Sequence, residues 1–174
     1  MADQLFHIIW TTFEEYPIHD NRGNWQKTKE LYLILKEQQT AFQLSEEFPV
    51  EYLCKEPKSK RIKLSEKARN QLKADVEKLC QPGKDRIISG LKLETVQIHE
   101  THIELLVYCQ PVSLKQKVSR LKSRSATLLS SDFPESYHGK NTWGKGIWIA
   151  QLFNPTASAV STIKQAAATG KLIQ

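Results

Sequence analysis

The chain has 174 residues and a mass of 20.0 kDa, which is enough for one domain whose core needs no disulfide support. Hydrophobic residues make up 40% of the chain and charged residues 25%, and these ordinary globular values exclude disordered and fibrous classes. The net charge of +6 and the pI of about 9.2 permit a nucleic-acid partner without requiring one.

Nothing in the sequence predicts a membrane or an export segment. The longest apolar runs, such as residues 105–107 and 147–150, are far shorter than the roughly 20 residues of a membrane helix. The N-terminal residues lack the basic flank and cleavage site of a signal peptide. Cys54, Cys80 and Cys109 are widely spaced and form no C-x-x-C pair. We therefore expect a cytoplasmic protein with free thiols and no membrane partner.

The first third of the chain predicts one strand, one helix and a long connection. β-Branched and aromatic residues predict a strand over Gln4–Thr12, and Asn24 is a candidate cap for a helix from Trp25 to about Phe42. The connection carries a basic cluster over residues 58–63 and room for a short strand at Val50–Cys54. The basic cluster suits either a solvated loop or a nucleic-acid contact.

The rest of the chain alternates helices with strands. The predicted elements are a helix from Ser65 to Cys80, strands Ile87–His99 and His102–Cys109, a helix from Ser113 to about Ser130, a loop over 132–142, a strand Trp143–Phe153, and a helix from near Pro155 to near Gly170. Only two residues separate the ends of the central strands, so we expect a tight antiparallel hairpin. This order predicts an α+β fold with helices on one face of an antiparallel sheet.

The second strand of this hairpin carries the sharpest local motif. His102 and Glu104 alternate with Ile103, so their side chains share one face of the strand and can reach one divalent ion. The two-residue turn also places His99 across from His102, and Gln97 across from Glu104. The alternative is a solvent-exposed polar face on a half-buried strand.

The helix predicted over 113–130 carries a basic stripe beside its apolar stripe. The apolar stripe consists of Leu114, Val118, Leu121, Ser125 and Leu128. Lys117, Arg120 and Arg124 form the basic stripe, and no acidic residue occurs in the helix to offset it. A phosphate backbone would supply the missing counterion, whereas the alternative is a plain solvated face.

The segment from Tyr137 to Trp148 interleaves glycines, cations and aromatic rings. Lys140, Lys145 and Trp143 suit a loop that contacts phosphates and stacks on a base. A glycine-rich turn before a strand whose tryptophans pack in the core explains the same pattern.

Four strings, taken together in this order, resemble the single-strand DNA transposases of the HUH tyrosine type, including the REP-associated transposases. The strings are HIIWTTFEEYPI, IHETHIELLV, SLKQKVSRLKSRSATLL and TWGKGIWIAQLF. The resemblance spans most of the single domain 1–174 except for a probable insertion at about 24–63. It implies a ferredoxin-like antiparallel sheet and a homodimer.

The resemblance assigns roles to four residues. It aligns the two metal-binding histidines of the family with His102 and Glu104, and a third polar ligand with Gln165. It places the catalytic tyrosine near Ser161, although the tyrosines of this chain lie only at 16, 32, 52, 108 and 137. A carboxylate can still bind Mg²⁺ or Mn²⁺, so metal binding is expected to be weak or altered. A serine is shorter by a whole ring, so strand cleavage by a tyrosine is predicted to be lost.

The motifs and the resemblance together give three alternative hypotheses for the function. The first is a protein that binds single-stranded or hairpin DNA through Lys117, Arg120, Arg124 and the loop of Lys140, Trp143 and Lys145. The second is a metal-dependent nuclease that uses His102 and Glu104 with water as the attacking group. The third is an RNA-binding or protein-interaction module that keeps only the fold.

Overall fold

The computed structural model describes residues 2–12, 26–44, 62–144 and 146–170. Its elements are β1 (Gln4–Thr11), α1 (Gln26–Glu37), β2 (Ala41–Leu44), α2 (Glu66–Leu79), β3 (Lys92–Ile98), β4 (His102–Cys109), α3 (Pro111–Asp132), α4 (Pro134–Tyr137), β5 (Trp148–Phe153) and α5 (Ala157–Ala168). The α+β class is confirmed. Most of the predicted insertion at 24–63, with its candidate strand Val50–Cys54 and basic cluster, lies outside the described residues.

The five strands form one antiparallel sheet in the order β2-β5-β1-β4-β3. Without β2, the order β5-β1-β4-β3, with α2 preceding β3 and α3 following β4, is that of a ferredoxin-like fold. β2 extends this sheet at the β5 edge. β1 and β4 therefore lie side by side at its centre, where their side chains are covered on both faces.

Helices cover both faces of this sheet, not one face as predicted. The α2/α3 face buries residues such as Ile8 and Leu105, and the α1/α5 face buries residues such as Ile9 and Leu106. Consecutive apolar residues in β1 and β4 are typical of strands with two buried faces. The α1/α5 face is thus an interior layer and not an open surface.

The hairpin and α2 agree closely with the sequence predictions. Ser65 caps α2, and its side chain accepts a hydrogen bond of 3.2 Å from the Ala68 amide. β4 occupies the predicted residues, and the His99 amide donates to the His102 carbonyl at 2.8 Å, which closes the two-residue turn. Gln97 lies opposite Glu104 in the register, as predicted.

Two predicted elements are too long. α1 ends at Glu37 because Gln39 has a φ of 58°, and Phe42 belongs to β2. β3 begins at Lys92 and not at Ile87. The Asp85 carboxylate accepts hydrogen bonds from the amides of Ile87 and Ile88, which holds this stretch in a turn.

The start of α3 and the segment before β5 also differ from the predictions. α3 begins at Pro111, which suits the first turn of a helix, and Ser113 donates to the Gln110 carbonyl without acting as the predicted cap. α4 interrupts the predicted loop. β5 starts at Trp148, since Trp143 contributes only an isolated bridge to Thr12. Within the described ranges, no helix has the length and apolarity needed to cross a bilayer.

Candidate metal centre and basic groove

His102, Glu104 and His99 come together on the α1/α5 face of the sheet. The His102 Nε2 lies 2.9 Å from the Glu104 Oε1, and the His99 Nε2 lies 3.9 Å from that same oxygen. One ligand atom from each residue falls within 4.8 Å of the other two. His102 and Glu104 are each 1% exposed, so the alternative of a solvent-exposed face on β4 is wrong.

His7 and Tyr32 extend this group, and sequence reasoning missed both. The His7 Nε2 lies 3.4 Å from the Glu104 Oε2, and the His7 Nδ1 lies 2.9 Å from the Tyr32 hydroxyl. His7 is on β1 beside β4, and Tyr32 reaches it from α1. We call His7, Tyr32, His99, His102 and Glu104 the Glu104 cluster. The sequence signals for His7 were its place between the apolar Leu5 and Ile9 and its position at the start of the string HIIWTTFEEYPI.

The surroundings set the protonation states of this cluster. Burial alone would raise the pKa of Glu104, but hydrogen bonds from His102 and His7 outweigh it and bring the pKa below its usual value. Burial, followed by the neighbouring His102, lowers the pKa of His99. At neutral pH the cluster thus combines an ionised carboxylate with a neutral His99 imidazole. These are the protonation states that a metal ion requires.

The donor set fits a divalent ion. Two imidazole nitrogens and one carboxylate oxygen suit a transition ion, whereas Mg²⁺ prefers oxygen ligands. The same nitrogens have protein partners: the His102 Nε2 donates to Glu104, and the His99 Nε2 donates to the Ala167 carbonyl at 2.9 Å. Ion binding through these nitrogens therefore exchanges existing hydrogen bonds for metal ligation.

α5 closes one side of the cluster but turns its predicted site residues outward. Ile163 and Ala167 are buried against the sheet, whereas Ser161 and Gln165 are exposed. α5 contains no tyrosine. The helix contributes to the cluster through its end, because the Ala167 carbonyl bonds His99 and a Cβ on Gly170 would lie 2.6 Å from the His99 Nδ1.

The predicted basic stripe of α3 has partners within the protein. The Arg120 Nε lies 3.3 Å from the Asp85 carboxylate, and the Lys117 ammonium donates to the Ser89 carbonyl. We expected no acidic residue to offset the positive charge of the stripe. For Arg120 this was wrong, because Asp85 in the turn before β3 supplies an acidic partner that the helix lacks. Arg124, the third residue of the stripe, is half-buried.

The opposite flank of α3 borders a groove of about 540 Å³. Three lysines line it, Lys115 and Lys122 from α3 and Lys140 from the segment before β5. None of the described residues that line this groove is acidic. Its volume falls within the roughly 300–1,000 Å³ of pockets that hold small ligands. We call this feature the Lys122 groove.

Lys122 fixes the glycine-rich wall of the groove. Its ammonium donates to the carbonyls of Gly144 and Gly146 at 2.6 and 2.7 Å, and burial lowers its pKa to about 8. Trp143 also lines the groove, but it is only 9% exposed and its Nε1 donates to Ser125. Trp143 is thus chiefly a core residue. This agrees with the alternative interpretation of the segment, in which its tryptophans pack in the core. Lys145 lies outside the described residues.

Comparisons with known proteins give one family. A sequence model described as "Transposase IS200 like" matches residues 54–166, which is more than half of the chain. A crystal structure of a candidate transposase from Deinococcus radiodurans R1 is similar at 16% identity and a TM-score of 0.39, with 98% of this chain and 92% of that chain covered. The search of curated proteins finds no match.

Proposed function

Because this chain belongs to the IS200-like transposase family, we propose that it binds single-stranded or hairpin DNA and has lost strand cleavage by a tyrosine of the last helix. The observation that carries the proposal is the Lys122 groove, a basic concavity that the family's DNA partner would fill. The absence of a tyrosine from α5 supports the loss of cleavage.

The groove favours phosphate recognition through three cations, two on α3 and one in the segment before β5. The proposal favours Lys115 and Lys122, which line a groove without a described acidic residue, over the predicted Arg120, which pairs with the acidic Asp85. Lys140, predicted from the sequence, lies on the facing wall. Lysines approaching one groove from both sides would neutralise neighbouring phosphates of one strand.

Two double variants that remove the same charge test the position of the DNA. Lys115→Gln with Lys140→Gln changes the groove, and Lys117→Gln with Arg120→Gln changes the opposite flank of α3. If each of the two lost phosphate contacts is worth roughly 1–1.5 kcal/mol, the groove variant binds DNA about 30- to 150-fold more weakly. The flank variant changes affinity only slightly.

Fluorescence anisotropy with a labelled hairpin, a matched single strand and the equivalent RNA measures these affinities. A larger loss of DNA affinity in the flank variant would support the predicted binding by the basic stripe and would contradict binding in the Lys122 groove. Equal or tighter binding of RNA would favour an RNA-binding module instead.

A second candidate function, a metal-dependent nuclease, is favoured by the Glu104 cluster. His99, His102 and Glu104 would hold a divalent cation such as Mn²⁺, which when bound polarises a phosphate and activates water. The chain's own part is to present an ionised Glu104 carboxylate and a neutral His99 imidazole beside the buried His102. Gln165 stays a candidate ligand by resemblance only.

Cleavage of a labelled oligonucleotide with Mn²⁺, lost in His102→Ala and without a covalent adduct, would support this candidate. No cleavage across several metals and substrates would dispose of it. The homodimer implied by the resemblance is part of the proposal, and light scattering of the purified protein tests it.

A further inference from the structure

Tyr32 and His7 form a buried polar pair that DNA binding does not explain. His7 is fully buried and Tyr32 is 5% exposed, and both lie behind Glu104 on the α1/α5 face. A hydroxyl and an imidazole placed in an apolar layer cost free energy unless their hydrogen bonds are made. Here both side chains are hydrogen-bonded: the Tyr32 hydroxyl bonds His7, and His7 bonds Glu104.

The chemistry of Tyr32 and Glu104 indicates which groups donate and which accept along this hydrogen-bonded path. Burial, and then the charge on Glu104, raises the pKa of Tyr32 well above its usual value, so the hydroxyl keeps its proton. An ionised carboxylate can only accept, so the His7 Nε2 donates to the Glu104 Oε2, and in that tautomer the Nδ1 accepts from the Tyr32 hydroxyl. The Oε2 of Glu104 therefore accepts a hydrogen bond from His7.

The other oxygen of Glu104 points toward the candidate metal ligands. Oε1 lies 2.9 Å from the His102 Nε2 and 3.9 Å from the His99 Nε2. The two oxygens of Glu104 therefore have different neighbours: Oε2 lies beside His7, and Oε1 lies beside His102 and His99, the other candidate ligands. Carboxylates that bind metals are commonly held in this way by hydrogen bonds from behind.

Tyr32 is poorly placed to attack DNA itself. Its ring packs against Phe42 and Trp148, with ring centroids 4.9 and 5.3 Å away, and the side chain is only 5% exposed. A phosphodiester would have to displace this packing to reach the hydroxyl. The hydroxyl therefore acts on His7 and not on a substrate.

We propose that Tyr32 and His7 are positioning residues that hold Glu104 in place for a divalent cation bound by His99, His102 and Glu104. The inference rests on the proposed metal site. It explains how a carboxylate can serve at the position where the resemblance aligns a histidine, because a flexible glutamate needs support that an imidazole on a strand does not.

Isothermal titration of Mn²⁺ and Zn²⁺ into wild-type protein and Tyr32→Phe tests the proposal. Loss of the hydroxyl is expected to weaken metal binding by about 10- to 100-fold, the usual effect of removing such a supporting group. Tyr137→Phe is the matched control, because Tyr137 is equally buried on the α2/α3 face and its hydroxyl bonds the backbone at residues 63 and 65. That variant should bind metal as the wild type does.

Nitrogen NMR of His7 supplies a readout that does not need metal. In the wild type Nδ1 carries no proton, and in Tyr32→Phe the proton is shared between the two nitrogens. His7→Gln keeps a donor near the Nε2 position, so it should bind metal more tightly than His7→Leu.

Three results would overturn the inference, and they separate it from the proposed function. Wild-type affinity in Tyr32→Phe, or a proton on the His7 Nδ1 of the wild type, contradicts the positioning role and leaves the metal site standing. A wild-type protein that binds neither ion refutes the metal site, and the positioning role with it, while DNA binding is unaffected.

Discussion

Gly170 sets how closely the end of α5 approaches His99. Its φ is +66°, which disfavours any residue with a side chain, and an added Cβ would lie 2.6 Å from the His99 ring. Gly83 provides a matched control, because its φ is +77° but an added Cβ would meet nothing within 4 Å.

Gly170→Ala and Gly83→Ala are both expected to lower the free energy of unfolding by roughly 1–2 kcal/mol through backbone strain. Only Gly170→Ala should also displace His99 and weaken Mn²⁺ binding. Urea unfolding and calorimetric titration measure the two effects. Equal metal affinity in both variants would show that His99 is not a ligand.

At the residue scale, the sequence predicted those candidate ligands that are close to one another in the chain. Alternation along a strand paired His102 with Glu104, and the two-residue turn brought in His99. His7 was missed because it lies 97 residues from Glu104, and only the pairing of β1 with β4 makes them neighbours. Tyr32 was missed because its helix was taken as part of an insertion.

At the scale of elements, α3 shows what an amphipathic pattern can and cannot predict. Four of its five predicted core residues are buried, and Leu129 takes the place of Leu128. The pattern could not tell which polar flank meets an acidic partner, because Asp85 belongs to a turn whose later residues, from Ile87 onward, were predicted as strand. The proposed phosphate contacts therefore lie on the Lys122 side of α3 and not on the predicted Arg120 side.

Lys122 gives α3 a pH-dependent charge. Burial lowers its pKa to about 8, so its positive charge is present below pH 8 and is lost as the pH rises above that value. If bound DNA raises this pKa by about one unit, the affinity for DNA should fall on the order of fivefold between pH 7 and pH 9.

Lys122→Arg supplies the control for this effect, because a guanidinium stays charged across the range. Anisotropy titrations at several pH values should show a falling affinity for the wild type and a nearly constant one for the variant. Parallel curves would mean that Lys122 does not contact DNA.

At the scale of the whole molecule, the α+β class and the central hairpin were predicted from the sequence and the ferredoxin-like sheet followed from the resemblance, but the strand order and the number of layers were not predicted. Adjacent apolar residues in β1 and β4 already indicated two buried faces, and the prediction of helices on one face overlooked them. The metal candidate is consequently an interior cluster with an edge at His99, and the basic groove lies on a separate surface.

This arrangement predicts how salt weakens DNA binding. Three lysines that neutralise three phosphates of a single strand give a slope of about −2 for log affinity against log salt concentration. The slope should shrink toward zero in the double variant Lys115→Gln with Lys140→Gln. A salt-independent affinity in the wild type would refute phosphate contact in the groove.

The most direct test of the account is a search for a covalent protein–DNA adduct. Purified protein is incubated with a labelled single-stranded or hairpin oligonucleotide and Mn²⁺, and the products are examined by denaturing gel and mass spectrometry. Because α5 carries no tyrosine and Tyr32 is buried, the account predicts DNA binding without any adduct. A 5′-phosphotyrosyl link at any residue of this chain would contradict it.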